Sequence, residues 1–314
     1  MNTTAISQEK MSIPWARAIC YSGYRENQHP NKQIYPSKSQ IKEDLEIIVK
    51  HGFSYIRMYD AVLYPEEVCQ VIRENNFPLK LMLGPGLLSE VNNPNCAWNK
   101  TVFSDEELQQ RAAQNDKRIE NLIKIANTYS DIVFAVSVGN ENTPTWGENT
   151  VSENRLIEFA KKLKKETGKI VTFNEGAREW KKLEKLAAYM DVICIHSYPL
   201  WYGLTLAEAL DANKKDYEDI KRLYPNKQVL FSEIGWATVC LENTEMQKAE
   251  VNEENQQKYY EQLWDWTDKE KITAFVFEAF DEPWKGSDNP NEVEKHWGLY
   301  YENRTPKLMY RIKS

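Results

Sequence analysis

The chain has 314 residues, of which 41% are hydrophobic, 28% charged and 12% aromatic, and its net charge is −7. That length suits one large α/β domain or two small ones. The negative balance without any Lys/Arg-rich run excludes a nucleic-acid surface, and the lack of any run of about 18 apolar residues excludes a membrane span.

Met1 to Lys10 is polar, with neither a basic start nor an apolar core, so about residues 1–12 are expected to form a tail. As written the chain reads as cytoplasmic; a removed signal peptide would make it secreted or periplasmic. Five cysteines (Cys20, Cys69, Cys96, Cys194, Cys240) show no CxxC spacing, and Cys20 and Cys194 sit inside apolar runs as small buried hydrophobes. The four histidines form no HExxH or HxH, so no metal site and no cofactor are expected. Asn99 and Asn303 open glycosylation sequons that matter only on secretion.

Eight short apolar runs follow in order: Trp15–Tyr21, Tyr55–Tyr59, Leu79–Leu83, Ile132–Val138, Ile170–Phe173, Val192–Ser197, Val229–Ser232 and Ile272–Phe277. Their nearly unbroken hydrophobicity suits strands buried on both faces, as in a parallel sheet. Helical patterns fill the gaps. Ser37-x-x-Gln40 is a capping box ahead of Ile41, Leu45 and Ile48, and Ser104-x-x-Glu107 opens a long helix through Leu108, Ala112, Ile119, Leu122 and Ala126. Pro65 suits a first helical turn. Leu156, Phe159, Ala160 and Leu163 mark a further helix, and Tyr259, Leu263 and Trp266 the last. Eight strand-then-helix units in one chain of this length predict a single (β/α)8 TIM barrel spanning residues 1–314. No Gly-rich phosphate fingerprint follows the first strand, which disfavours a dinucleotide fold. The long connections Gly84–Phe103 and Asp281–Tyr300 would rise from the C-terminal face and wall a cleft. The first of them could close one end of that cleft and make the protein act on chain ends.

Barrel enzymes carry their chemistry at the C-terminal ends of strands. Here those ends supply Arg57, Tyr59 and Asp60; Asn140 and Glu141; Glu175; His196 and Tyr198; Glu233 and Trp236; and Glu278, Glu282, Trp284 and Lys285. Carboxylates and aromatics with one histidine suit cleavage of a glycosidic bond better than metal hydrolysis. That reaction needs one carboxylic acid at the leaving oxygen and one carboxylate across the sugar. Strands four and seven lie on opposite sides of the mouth, so Glu141 and Glu233 can face each other. A gap of about 5 Å would mean direct attack by Glu233 and retained configuration. The charge of Glu233 would keep Glu141 protonated until the glycosyl ester forms, after which Glu141 serves as base.

Gly139-Asn140-Glu141 on strand four, with Ser232-Glu233-x-Gly235-Trp236 on strand seven, resembles glycoside hydrolase family 17, the β-1,3-glucanases and related glucanosyltransferases. Ile56-Arg57-x-Tyr59, His196-x-Tyr198-Pro199, and Phe280-Asp281-Glu282-Pro283-Trp284-Lys285 leading to His296-Trp297-Gly298-Leu299 extend the resemblance over most of the barrel. It implies Glu141 as acid/base, Glu233 as nucleophile, Asn140 on the sugar 2-hydroxyl, and Glu282 and Lys285 near the reacting sugar. Glu175 resembles a glutamate of bacterial members, although Gly176-Ala177 stand where those have Pro-Trp. Ala237 follows Trp236 where plant members continue with Pro, which points to a bacterial-type plain barrel.

Plainer roles stand beside these. Arg57 and Asp60 could pair to stiffen the rim, and His196 could be a strut rather than a sugar contact. Tyr64, Trp146, Trp201, Trp236, Trp284 and Trp297 offer faces for pyranose rings. Trp15, Trp264 and Trp266 read as core, whereas Glu253, Glu254 and the Lys161–Lys165 cluster read as solvated helix surface. The expected function is hydrolysis of β-1,3-glucan or laminari-oligosaccharides by a monomer. The alternative is β-1,3-glucanosyl transfer with the same two glutamates, and the remote one a non-catalytic glucan-binding protein.

Overall fold

The structure is a computed structural model that describes residues 11–242 and 244–311; the first ten residues of the expected tail lie outside it. Eight parallel strands close into a barrel in chain order, each paired with its neighbours and β1 with β8. The strands are β1 Ala18–Cys20, β2 Tyr55–Met58, β3 Lys80–Leu83, β4 Val133–Asn140, β5 Ile170–Gly176, β6 Val192–Ser197, β7 Gln228–Gly235 and β8 Ala274–Phe277. All eight apolar runs thus become strands. β4, β5 and β7 continue beyond their runs, so Asn140, Glu175 and Glu233 lie within strands rather than after them.

Around them pack α1 Lys38–Lys50, α2 Pro65–Glu74, α3 Asp105–Thr128, α4 Glu153–Thr167, α7 Leu206–Leu223 and α8 Glu253–Glu270, with two single-turn helices after β5, α5 Ala177–Trp180 and α6 Glu184–Ala187. Both expected capping boxes form: Ser37 and Ser104 accept from the N–H three residues on, and Gln40 and Glu107 reach back. Pro65 opens α2, where its missing N–H costs no hydrogen bond. The eighth unit departs from the strand-then-helix pattern. Among the described residues β8 is followed by a long loop, a 3-10 turn at Val293–Lys295 and an irregular segment to 311.

That segment seals the seam between β8 and β1. Arg304 Nε and Nη2 each donate to buried Asp44 of α1 at 2.7 Å, and Arg25 and Tyr21 complete the carboxylate's shell at 2.9 and 3.0 Å. Fully buried Lys307 donates to Asp281 and Thr238 at 2.7 and 2.8 Å. Trp264 is core as expected and Trp266 packs against it, but Trp15 lies outside β1 and is 37% exposed, with Lys271 over its ring at 3.9 Å. β1 begins only at Ala18, so Trp15 has no sheet to bury it. No helix among the described residues is long and apolar enough to cross a membrane.

Candidate active site

The mouth is built from the ends of β2, β4, β6, β7 and β8. On β4 the register with β5 shifts between Ser137 and Asn140, and the chain turns sharply outward. Asn142 folds back over Gly139 so that its Oδ1 accepts from Asn140 N–H at 2.8 Å. A Cβ on Gly139 would lie 2.2 Å from that oxygen, which is why glycine stands there. In the same turn Glu141 takes φ +47, a left-handed conformation that costs a residue with a side chain about 1–3 kcal/mol. Hydrogen bonds from Glu141 N–H to Asn174 O (3.0 Å), Val151 N–H to Asn142 O (2.9 Å) and Asn142 Nδ2 to Asn149 O (2.6 Å) fix it.

Across the mouth, Glu233 of β7 has both carboxylate oxygens occupied. Arg57 Nη1 donates to Oε1 at 2.6 Å and Tyr198 Oη to Oε2 at 2.7 Å. Arg57 is itself fully engaged. It also donates to Ser232 O at 3.0 Å and to Asn140 Oδ1, lies over the Tyr59 ring at 4.3 Å, and with the Asn174 amide oxygen turned towards it donates twice more at 3.0 Å. Burial alone would push the Glu233 carboxyl up, but the charges of His196 and Arg57, with the bonds from Tyr198 and Arg57, outweigh it and pull it down to about 2.

His196 sits between the two glutamates, Nδ1 2.8 Å from Glu141 and Nε2 3.5 Å from Glu233. One oxygen of each carboxylate and a ring nitrogen all lie within 4.8 Å of one another. The side chain of Glu141 is 28% exposed against 7% for Glu233, so one carboxyl faces the cleft and solvent while the other is seated in its wall. Three such donors have the spacing of a cation site. However, Arg57 and Tyr198 each donate to one oxygen of Glu233, and a metal ion there would share Oε1 with a guanidinium nitrogen that already stands 2.6 Å from it.

Other strand-end residues take parts that sequence left open or misjudged. Arg57 and Asp60 do not pair. Arg57 turns inward to Glu233, while Asp60 turns outward to Arg118 of α3 at 2.9 Å, against Gly86, whose added Cβ would strike the Asp60 carboxyl at 2.1 Å. Asp60 therefore braces three segments. Glu175 is fully buried beneath the Glu141 loop and accepts from Thr143 Oγ1 and N–H at 2.8 and 3.2 Å. Burial first, then the charge of Glu141, push its carboxyl well above the usual range. It holds the loop from below through Thr143.

Trp236, Trp297 and Tyr64 are buried too, so none offers an open face. Trp236 donates to Glu250 O at 2.9 Å, Tyr64 takes the N–H of Gly23 at 2.8 Å, and Trp297 backs Tyr198 with ring centres 5.1 Å apart. Trp201 and Trp146 are open to solvent, as are Trp98 and Tyr202. Trp284, half-buried against Tyr24, donates to Glu282 at 3.0 Å, and Lys285 pairs with Glu282 at 2.6 Å.

One residue was missed. Glu294, in the 3-10 turn, faces Lys285, Glu141, Glu233 and Glu282. Burial raises its carboxyl to about 7, with Lys285 pulling against it and the three carboxylates adding to the rise. Its position between Lys285 and His296-Trp297 in a loop already expected to wall the cleft was the available signal.

The loop 84–103 is hydrogen-bonded along its length to its neighbours. Glu90 N–H donates to Thr150 O at 2.8 Å, and Asn93 Nδ2 donates to Thr145 O and Gly147 O at 2.9 and 2.7 Å. Asn115 of α3 clasps Leu88, accepting its N–H and donating to its C=O. The loop is thereby tied to the 142–150 segment and to α3. It presents Trp98, 63% exposed, beside Trp146, 42% exposed, with ring centres 5.9 Å apart.

A family model described as the BtgE/BtgC glycoside hydrolase domain matches residues 18–298. A glucan 1,3-beta-glucosidase of Arthroderma benhamiae is 26% identical over 211 residues, covering 60% of this chain and 65% of that protein. A probable glucan endo-1,3-beta-glucosidase, btgC, of Aspergillus flavus is 28% identical over 211 residues, covering 59% of this chain and 30% of that protein. The chain thus spans under two thirds of the length of these curated relatives. In fold it resembles an endo-laminarinase from Formosa, with a TM-score of 0.78 and 23% identity over 94% of this chain and 85% of that one. It also resembles an active-site mutant of a Rhizomucor miehei beta-1,3-glucanosyltransferase in complex with laminaritriose, with a TM-score of 0.72 and 19% identity over 95% and 98%. With the family model running through every strand of the barrel, the resemblance to glycoside hydrolase family 17 stands, and the chain belongs to the BtgE/BtgC glycoside hydrolase family.

Proposed function

We propose that the protein cleaves β-1,3-glucosidic bonds in β-1,3-glucan or laminari-oligosaccharides by double displacement, with Glu233 as nucleophile and Glu141 as acid/base. The observation that carries this reading is the pair of carboxylates with oxygens within 4.8 Å. Retaining glycosidases set these groups about 5–5.5 Å apart, whereas inverting ones leave about 6.5–9.5 Å for a water. In the first step a Glu233 oxygen attacks the anomeric carbon while Glu141 protonates the departing glycosidic oxygen. In the second, water attacks that carbon, gives its proton to Glu141, and the ester bond to Glu233 breaks. Arg57 and Tyr198 keep Glu233 ionised and oriented for attack. The linkage and substrate are taken from what the curated relatives are named for.

The test is reducing-sugar release from laminarin and laminari-oligosaccharides, beside β-1,4 and β-1,6 glucans, with NMR of the first anomer formed. Wild type should release the β-anomer from β-1,3 substrates, and Glu233→Ala should lower kcat by about three orders of magnitude or more. Activity surviving in Glu233→Ala, or the α-anomer appearing first, would remove the assignment. Adding an oligosaccharide acceptor to the same assay reads out glucanosyl transfer as longer products.

A further inference from the structure

The end of β8 holds a carboxyl group that double displacement does not use. Glu278 is 1% exposed and its backbone is clamped, N–H to Trp297 O at 3.3 Å and C=O from Leu299 N–H at 2.9 Å. Neither of its carboxyl oxygens finds a donor among the described residues. Lys285 Nζ stops 3.8 Å away, too far for a hydrogen bond, while the same ammonium touches Glu282 at 2.6 Å. The carboxyl of Glu282, which holds that same ammonium, is the acceptor that Lys285 brings beside Glu278. Two ionised carboxylates cannot bond each other, since both only accept; a single proton turns one of them into a donor. Glu282 is the member that keeps its charge, because Lys285 and the Trp284 indole N–H both address it. The proton belongs on Glu278.

We propose that Glu278 is a neutral carboxylic acid that donates to Glu282, and that as a positioning residue it holds the Glu282–Lys285 pair at the edge of the reaction site. Its role in turnover rests on the glycosidase reading, whereas its proton does not. The titratable and charged groups that face it are Glu282 and Lys285 from its own loop, Glu294 from the 3-10 turn, Cys20 from β1 and Tyr260 from α8. Burial pushes the Cys20 thiol up to about 12 and the Tyr260 phenol further, so neither competes for the proton. Burial, then the charge of Glu282, push the Glu278 carboxyl well above the usual range, in the direction the geometry requires. A neutral Glu278 leaves Glu282 and Lys285 to cancel, so the cluster adds no net charge beside Glu233.

The test compares the full chain with Glu278→Gln, which stays neutral and can donate to Glu282, and Glu278→Leu, which fills the space and cannot. An infrared difference spectrum at neutral pH, wild type minus Glu278→Gln, needs no substrate and should show the C=O band of a protonated carboxylic acid. On laminari-oligosaccharides, Glu278→Gln should keep kcat/KM within about threefold of wild type, while Glu278→Leu should lose about tenfold or more, mainly in kcat. A difference spectrum without the protonated band, or a Gln variant as impaired as the Leu variant, would overturn the proposal. If Glu278→Leu fails to fold, the band and the Gln activity decide it. Wild type inactive on every β-glucan would sink the glycosidase reading, and the infrared band would still decide the proton.

Discussion

Glu294 is the carboxyl in the cleft whose charge changes near neutrality. Below about 7 it is neutral, and above it a further negative charge faces Glu141, Glu233 and Glu282. Glu294→Gln is expected to erase a titration near pH 7 from the kcat/KM profile while keeping activity on its acid side within about threefold. An unchanged profile would mean that Glu294 does not sense the site. The stability sign follows from the same shift. A carboxyl raised from 4.5 to about 7 contributes stability that is complete below 4.5 and lost as pH rises through 7. At this scale Glu141 and Glu233 stand out in the sequence because each comes just after an apolar run, where a charge is conspicuous. Glu294 was hidden by Glu292 two residues earlier, an equally polar neighbour whose carboxylate takes the Ser287 hydroxyl at 3.0 Å. Only the folded loop tells the two apart.

The loop 84–103 shows how a long connection is held without helix or strand. Its polar side chains are committed to neighbouring backbone, and Asn93 donates twice to the segment that continues from Glu141. Asn93→Ala should lower unfolding free energy by about 1–2 kcal/mol, at roughly 1 kcal/mol per bond lost, and should reduce kcat by loosening the 142–150 turn. Urea denaturation with parallel kinetics checks this, and unchanged kcat in a destabilised variant would uncouple loop from site. Other elements were legible to different degrees. α1 and α3 announced themselves through capping boxes at Ser37 and Ser104. α7 carries the same device at Thr205, but its buried face is broken by Asn213, which donates to Ser197 Oγ at 2.8 Å and accepts from Tyr259 at 2.8 Å, so no apolar stripe marks it. That no helix follows β8 among the described residues was illegible because the loop and tail there are held by long-range ion pairs, which leave no periodic pattern.

Across the whole molecule, the seam between β8 and β1 depends on charge as much as on strand pairing. Asp44 is fully buried, and burial raises its carboxyl despite the pull of Arg304, so its partners are needed to keep it ionised. Arg304→Ala leaves that carboxylate with Arg25 and Tyr21 alone. The loss should be about 3 kcal/mol, at the lower end for removing one partner of a buried pair because Arg25 remains. Guanidinium unfolding measures it, and a loss below about 1 kcal/mol would show that Arg25 suffices. Barrel order and strand number could be read from eight apolar runs, since each buries both faces. The seam could not, because Asp44 and Arg304 are 260 residues apart and neither position is unusual alone.

That separation has a consequence during synthesis. On the ribosome Asp44 leaves the exit tunnel long before Arg304 does, so for most of translation α1 must shelter an acid whose bidentate partner has not yet been made. Its carboxylate is then better solvated than buried. The first βα unit therefore stays loosely docked, open to chaperones and exchange with solvent, until the segment beyond β8 arrives and locks the ring.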